Sequence, residues 1–470
     1  MPQAFQTLID GALRDCDRTL PVINPATLEP LGEAPLAALA DIDRAIAGAR
    51  RAFGEWARAD IDRRRALLAA IADAVEADAD TLARLLTQEQ GKPIAEAQYE
   101  VAGTAGVFRA TAMLDLPLEV LRDTPQERIV RERSPLGVVA AIVPWNFPLM
   151  LMALKVAPAL LVGNSVVVKP APTTPLTTLR FGELCASLVP AGLLNILVGG
   201  NDLGAALTGH PDIARISFTG STATGRKVMA SAAANLTRLG LELGGNDAAI
   251  VLGDAQIDRV APTLVHAAMM NAGQVCLGVK RIYVHSSLYG DFCNAAAAVA
   301  DALVIGDGLD PATHIGPVQN ATQWEKAQHY RAIAATDGRL RSGGKPVDRP
   351  GYFIRPTIVS DIGDDSALVQ EEQFCPIVPV LPYSNADDLV ARVNAGPYGL
   401  GGSIWTSDPP AAFDLARRID VGTMWVNKFM DLPPDIAVSG AKASGVGMTL
   451  GQEGLAEFTQ ARVINMALGA

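Results

Sequence analysis

Between residues 41 and 112 the apolar positions recur every three or four residues. Ile42, Ile46, Ala49 and Phe53 form one such series, and Leu67, Leu68, Ile71, Ala74 and Val75 another, so this region is expected to be helical. After Pro135 the pattern changes to short β-branched runs: Val138–Val143, Ser165–Val168, Asn195–Val198, Arg215–Phe218, Leu239–Leu243 and Ala248–Leu252. Helical stretches at Leu149–Leu161, Pro175–Leu188 and Ser221–Ala232 separate several of them. Continuous apolar strands alternating with helices predict a mostly parallel sheet covered on both faces.

A second alternating set follows. Arg281–His285, Phe353–Val359, Gly402–Trp405 and Thr423–Val426 are strand candidates, and Leu288–Leu303 and Gln319–Ala335 are helix candidates. Two successive sets predict an α/β protein of two domains with a cleft between them. Glu119–Arg133 and Gln460–Met466 fit neither set. They read as edge strands that pair with each other, with another subunit, or with nothing.

Composition narrows the function classes. The 470 residues are 49% hydrophobic and carry a formal net charge of −11, which disfavours nucleic acid and anionic lipid as partners. The cysteines, Cys16, Cys185, Cys276, Cys293 and Cys375, form no C-x-x-C pair. A thiolate zinc site and a disulfide framework are not expected, and a reducing, cytoplasmic location is. No histidine pair has metal-ligand spacing, so no metal is expected. Met1–Leu20 is too charged for a signal peptide. Ser134–Leu154 runs 21 residues without a charge, but Pro135, Gly137, Pro144 and Pro148 suit a strand, a loop and a helix start better than a membrane span.

Two residues carry the clearest chemistry. Glu242 lies in Leu241-Glu242-Leu243-Gly244-Gly245 and Cys276 in Gly273-Gln274-Val275-Cys276-Leu277-Gly278. A thiolate can attack a carbonyl to form a thioester, and a carboxylate can activate water to release it. They stand 34 positions apart, so only the fold can bring them together. Taken singly, either could be structural: a core cysteine or a loop carboxylate.

Other motifs are open in the same way. Phe218-Thr219-Gly220-Ser221 follows a strand and opens a helix, so it either meets a phosphate or simply caps that helix with Ser221. No G-x-G-x-x-G fingerprint follows a strand. Lys169 ends an apolar strand, where it holds a ribose or phosphate or is a surface lysine. Asn146, in Pro144-Trp145-Asn146-Phe147-Pro148, serves a turn or donates to an oxyanion. G-x-S-x-G is absent, which leaves a serine hydrolase without a candidate nucleophile.

Together these motifs, with Glu371-Glu372-Gln373-Phe374 and Ser444-Gly445-Val446-Gly447, resemble the aldehyde dehydrogenase superfamily in order and spacing over nearly the whole chain. The resemblance implies two Rossmann-like α/β domains and an antiparallel oligomerisation arm. It places a cofactor domain at 1–116 and 137–241, a catalytic domain at 242–446, and the arm at 117–136 and 447–470. It implies oxidation of an aldehyde with NAD, NADP use being open, by a homodimer or homotetramer. Cys276 would be the nucleophile, and Asn146 with the Cys276 N–H the oxyanion hole. Hydride would leave a thiohemiacetal for the nicotinamide, and Glu242 would activate the hydrolytic water. Lys169 and Glu372 would hold the riboses, with Phe374 beside the nicotinamide ribose. Gly220 and Ser221 would face the pyrophosphate, and Pro144 and Trp145 would line the cleft. Phe147, Met150, Leu151, Leu154, Met270, Val275, Leu277 and Leu432 match the family's substrate tunnel. All are apolar, favouring aliphatic or aromatic aldehydes over semialdehyde acids.

Three positions depart from the common family pattern. Pro172 stands where many NAD-preferring members have a glutamate, Cys375 where a glycine is usual, and Met448-Thr449 where many carry Arg-Glu. That last glutamate is thought to relay a proton with a lysine matching Lys155. The alternatives are a CoA-acylating relative, which typically lacks the base glutamate, and a catalytically silent structural relative, against which Cys276, Glu242, Asn146 and Lys169 argue.

Overall fold

The computed structural model describes residues 5–468. The expected helical region consists of four helices, Leu39–Trp56, Ile61–Ala77, Ala79–Gln90 and Ile94–Ala112. Gly91 ends the third with a φ of 99°, and a Cβ there would lie 2.8 Å from Pro317 Cγ, so glycine suits this turn on two counts.

The first sheet has eight strands, in the order Ala12–Arg14, Thr7–Ile9, Leu194–Ile196, Ser165–Lys169, Val138–Ile142, Ile213–Thr219, Arg238–Glu242 and Gly445–Val446. The five from Leu194–Ile196 to Arg238–Glu242 are parallel, and the strands flanking them are antiparallel. Alternate residues of the central strands feed two different cores. Val139, Ala141, Val166 and Val168 pack on one side, Val138, Ala140 and Val167 on the other. This is the two-face burial expected of an apolar parallel strand.

The second sheet has seven strands, in the order Arg339–Leu340, Thr357–Ser360, Ile377–Tyr383, Val279–His285, Asp247–Val251, Gly401–Trp405 and Thr423–Val426, all parallel but the first. Ile377–Tyr383, central here, was not expected, because Pro379 and Pro382 interrupt its apolar run. The strand expected from Phe353 begins only at Thr357, after Pro356.

The two unassigned segments pair with each other. Glu119–Asp123, Glu127–Pro135 and Thr459–Ala467 form a three-stranded antiparallel sheet whose register runs from Thr459 opposite Pro135 to Ala467 opposite Glu127. The uncharged Ser134–Leu154 segment divides into a strand end, the strand Val138–Ile142, a loop and the start of helix Pro148–Val162. Among the described residues no helix is long and apolar enough to cross a membrane.

The topology places chemistry at one edge. Lys169, Thr219 and Glu242 end parallel strands of the first sheet, and the Pro144–Phe147 loop follows another. Ligands of open α/β sheets sit at such carboxyl ends.

Candidate active site

Cys276 lies on the loop between helix Ile257–Met269 and strand Val279–His285. Asn271, Ala272 and Gly273 precede it with φ values of 50°, 54° and 75°. Left-handed backbone at a non-glycine residue costs about 1–3 kcal/mol, so the loop needs external restraint. Lys280 supplies part of it, its Nζ donating to the carbonyls of Gly273 at 2.9 Å and Val275 at 2.6 Å. The Asn271 amide donates to Glu96 at 2.9 Å. A Cβ on Gly273 would fall 2.4 Å from the Cys375 carbonyl oxygen, which leaves no room for a larger residue.

Asn146 is tied into the same loop. Its Nδ2 donates to the Gln274 carbonyl at 3.0 Å, leaving its second hydrogen for another acceptor. Its own carbonyl accepts from Lys92 and from Asn271, each at 2.9 Å. Lys92 is buried and ion-paired at 2.5 Å with Glu100, which also accepts the first-turn amides of Leu149 and Met150. Buried Lys92, Glu100 and Lys280, with half-buried Glu96, therefore form a scaffold under the site. Sequence patterns do not reveal it, because each residue reads alone as a surface charge.

The Cys276 thiol is half-buried. Burial pushes its pKa up to about 12, and the acids Glu372, Glu242 and Asp247 add to this against Lys280. The resting thiol is thus protonated at neutral pH and must lose its proton to attack. Its amide N–H has no acceptor among the described residues.

Glu242 is also withdrawn from water, and burial raises its pKa to about 7 against a hydrogen bond from Thr449 and the charge of Lys155. Lys155, on helix Pro148–Val162, donates to Thr219 Oγ1 at 2.7 Å and Ser217 Oγ at 3.3 Å. Burial lowers its pKa to about 8. These groups line a cavity of about 50 Å³, above the roughly 10–15 Å³ that one water requires. In this conformation Glu242 faces that cavity and not the two that border Cys276.

The first of those two, about 140 Å³, is lined by Pro144, Trp145, Asn146, Gly220, Ser221, Gly244, Cys276, Glu372 and Phe374, and also by Gln323 and Lys326, which the sequence did not single out. Ser221 caps helix Thr222–Ala233 by accepting the Thr224 amide at 3.3 Å. The first-turn amides behind it lack intrahelical acceptors, so cap and phosphate site are compatible. Glu372 accepts the Gly245 amide at 2.9 Å, and Phe374 stands edge-on to Trp145 at 5.5 Å. Lys169 is buried, with one long contact of 3.4 Å to the Pro170 carbonyl. First-turn amides left over by the Ser221 cap and the Glu372 carboxylate at this cleft suit a dinucleotide, and Lys169 ends the strand beside the one that leads into the Pro144–Phe147 loop.

The second cavity, about 330 Å³, is lined by Phe147, Met150, Leu151, Leu154, Val275, Cys276, Leu277 and Leu432. Met270 is not among them. It follows the last residue of helix Ile257–Met269 and lines a separate surface cavity with Arg259 and His266, because the chain reverses only at Asn271. Tyr99, Gly103, Gly106 and Val107 join the tunnel from helix Ile94–Ala112, a contribution not foreseen. Two glycines three apart on one helix face were its only signal.

A profile of the aldehyde dehydrogenase family matches residues 13–464. The chain belongs to the aldehyde dehydrogenase family. A Pseudomonas protein named "Probable aldehyde dehydrogenase" is 40% identical, covering 98% of this chain and 95% of that one. The phenylacetaldehyde dehydrogenase of Pseudomonas fluorescens is 37% identical over 96% of this chain and 93% of its own. The NAD+ complex of aldehyde dehydrogenase from Bacillus cereus superposes with a TM-score of 0.96 at 31% identity, covering 99% of this chain and 97% of that one. The protein is therefore an NAD(P)-dependent aldehyde dehydrogenase, oxidising an aldehyde to an acid.

Two departures from the common pattern acquire a setting in this aldehyde dehydrogenase. Cys375 is buried beside the Gly273 turn, and Thr449 bonds directly to Glu242.

Proposed function

We propose that the protein oxidises apolar aldehydes through a thioester on Cys276, which water releases with Glu242 as base. The observation that carries this is that Cys276 lines both the apolar tunnel and the dinucleotide cleft, with Asn146 beside it in the cleft. The Cys276 sulfur forms a bond to the aldehyde carbon as the carbonyl π bond opens to an oxyanion, and its proton passes through water to the Glu242 carboxylate. The new oxyanion accepts from the free Asn146 Nδ2 hydrogen and the unpaired Cys276 amide. When bound, NAD supplies the hydride acceptor that turns this adduct into a thioester. Lys169, Glu372, Phe374, Gly220 and Ser221 hold that cofactor, with Pro144 and Trp145 lining its cleft. Glu242 then turns from Thr449 toward the thioester and takes a proton from water. The hydroxide adds to the acyl carbon, the carbon–sulfur bond breaks, and Cys276 leaves as thiolate. Lys155 passes each proton onward through the small cavity behind Glu242.

The tunnel lining contains no charged side chain, which supports aliphatic or aromatic aldehydes as substrates. The three-stranded sheet exposes Val463, Ile464 and Met466 on its edge strand, and we assign it to dimer or tetramer formation. We place domain boundaries at 116/117, 136/137, 241/242 and 446/447; the two large sheets support the division at 241/242, whereas Gly445–Val446 completes the first sheet. Five free cysteines support a reducing, cytoplasmic setting. Absorbance assays of an aldehyde panel with NAD test the whole proposal. Acid and NADH should form without CoA; a strict need for CoA, or no NADH from any aldehyde, would contradict it.

A further inference from the structure

Lys169 ends its strand with a buried, poorly partnered ammonium. The neighbouring parallel strand, Leu194–Ile196, leads through Gly199 and Gly200 into helix Asn201–Gly209. The start of that helix lies against the lysine, since a Cβ added at Gly204 would sit 3.5 Å from Lys169 Cε. Asp202, exposed in the first turn, folds back over the helix entry, its Oδ1 lying 3.0 Å from where a Cβ on Gly200 would be. Its charge acts on the Lys169 ammonium. The loop after the lysine, Pro170-Ala171-Pro172-Thr173-Thr174-Pro175, contains no acid. A lysine alone at a ribose would welcome an additional phosphate. A carboxylate beside it accepts hydroxyl hydrogens and repels a dianion.

We propose that Asp202 is the specificity-determining residue of the adenosine ribose subsite, accepting a ribose hydroxyl beside Lys169 and repelling a 2′-phosphate. It takes over the discrimination that Pro172 cannot provide. The proposal rests on the reading of Lys169 as a ribose ligand. Lys169 ends one strand, and Asp202 lies in the first turn of the helix that follows the adjacent parallel strand.

The test measures dissociation constants for NAD and NADP by isothermal titration with the full chain, in wild type, Asp202→Asn and Lys169→Ala. The wild type should bind NAD more tightly. Asp202→Asn should improve NADP binding relative to NAD by about tenfold, the scale of one partly screened charge contact. Lys169→Ala should weaken both cofactors. If Asp202→Asn leaves the ratio unchanged while Lys169→Ala weakens both, the role of Asp202 is wrong and the ribose site stands. If Lys169→Ala changes neither constant, the ribose site itself is misplaced and the proposal falls with it.

Discussion

The Thr449 hydroxyl donates a 3.0 Å hydrogen bond to the Glu242 carboxylate. That bond favours the charged form of an acid that burial would otherwise keep protonated. A general base works only when deprotonated, so hydrolysis should fall as pH drops through about 7. Thr449→Val removes the donor and should move that limb of the kcat–pH profile upward by roughly 1 unit, while Thr449→Ser should hold it near the wild-type position. An unshifted limb in Thr449→Val would show that the hydroxyl does not set the base.

The Lys92–Glu100 pair lies under the oxyanion site with neither side chain exposed. Glu100→Ala strands the lysine charge and frees the Leu149 and Met150 amides. Unfolding free energy from denaturant titration should fall by about 3–5 kcal/mol. A loss within experimental error would mean that the pair is dispensable to the scaffold.

Gly106 faces the tunnel, and a Cβ there would meet nothing within 4 Å. Gly106→Leu should therefore fold normally and narrow the tunnel. We expect KM for aromatic aldehydes to rise at least about tenfold, with short aliphatic aldehydes little affected. An equal effect on both would place the substrate elsewhere.

Cys276→Ala should abolish dehydrogenase activity and leave NAD binding intact, measured by titration calorimetry. Retained turnover would rule out the thiol as nucleophile.

The sheets were legible where strands are uninterrupted and buried on both faces, as at Val138–Ile142 and Ser165–Lys169. Ile377–Tyr383 was hidden by its prolines, which read in the sequence as breaks in a central strand. Cys276, Asn146 and Glu242 stayed open when taken singly, and only the order and spacing of their motifs nominated them together. Lys280 and Lys92 could not be nominated, because only the folded chain shows that their charges meet loop carbonyls. Met270 was misplaced for a related reason: proximity to Cys276 in sequence ignores the reversal at Asn271–Gly273. The link between Thr449 and Glu242 spans 207 positions and no local pattern reports it.

The acyl-enzyme itself offers the most direct measurement. Glu242→Gln, mixed with aldehyde and NAD, quenched in acid and digested, should carry the acyl mass on the peptide containing Cys276, with an NADH burst of about one per site before slow turnover. Wild-type steady-state turnover in this variant, or slowed turnover with no acyl mass on Cys276, would contradict thioester hydrolysis by Glu242.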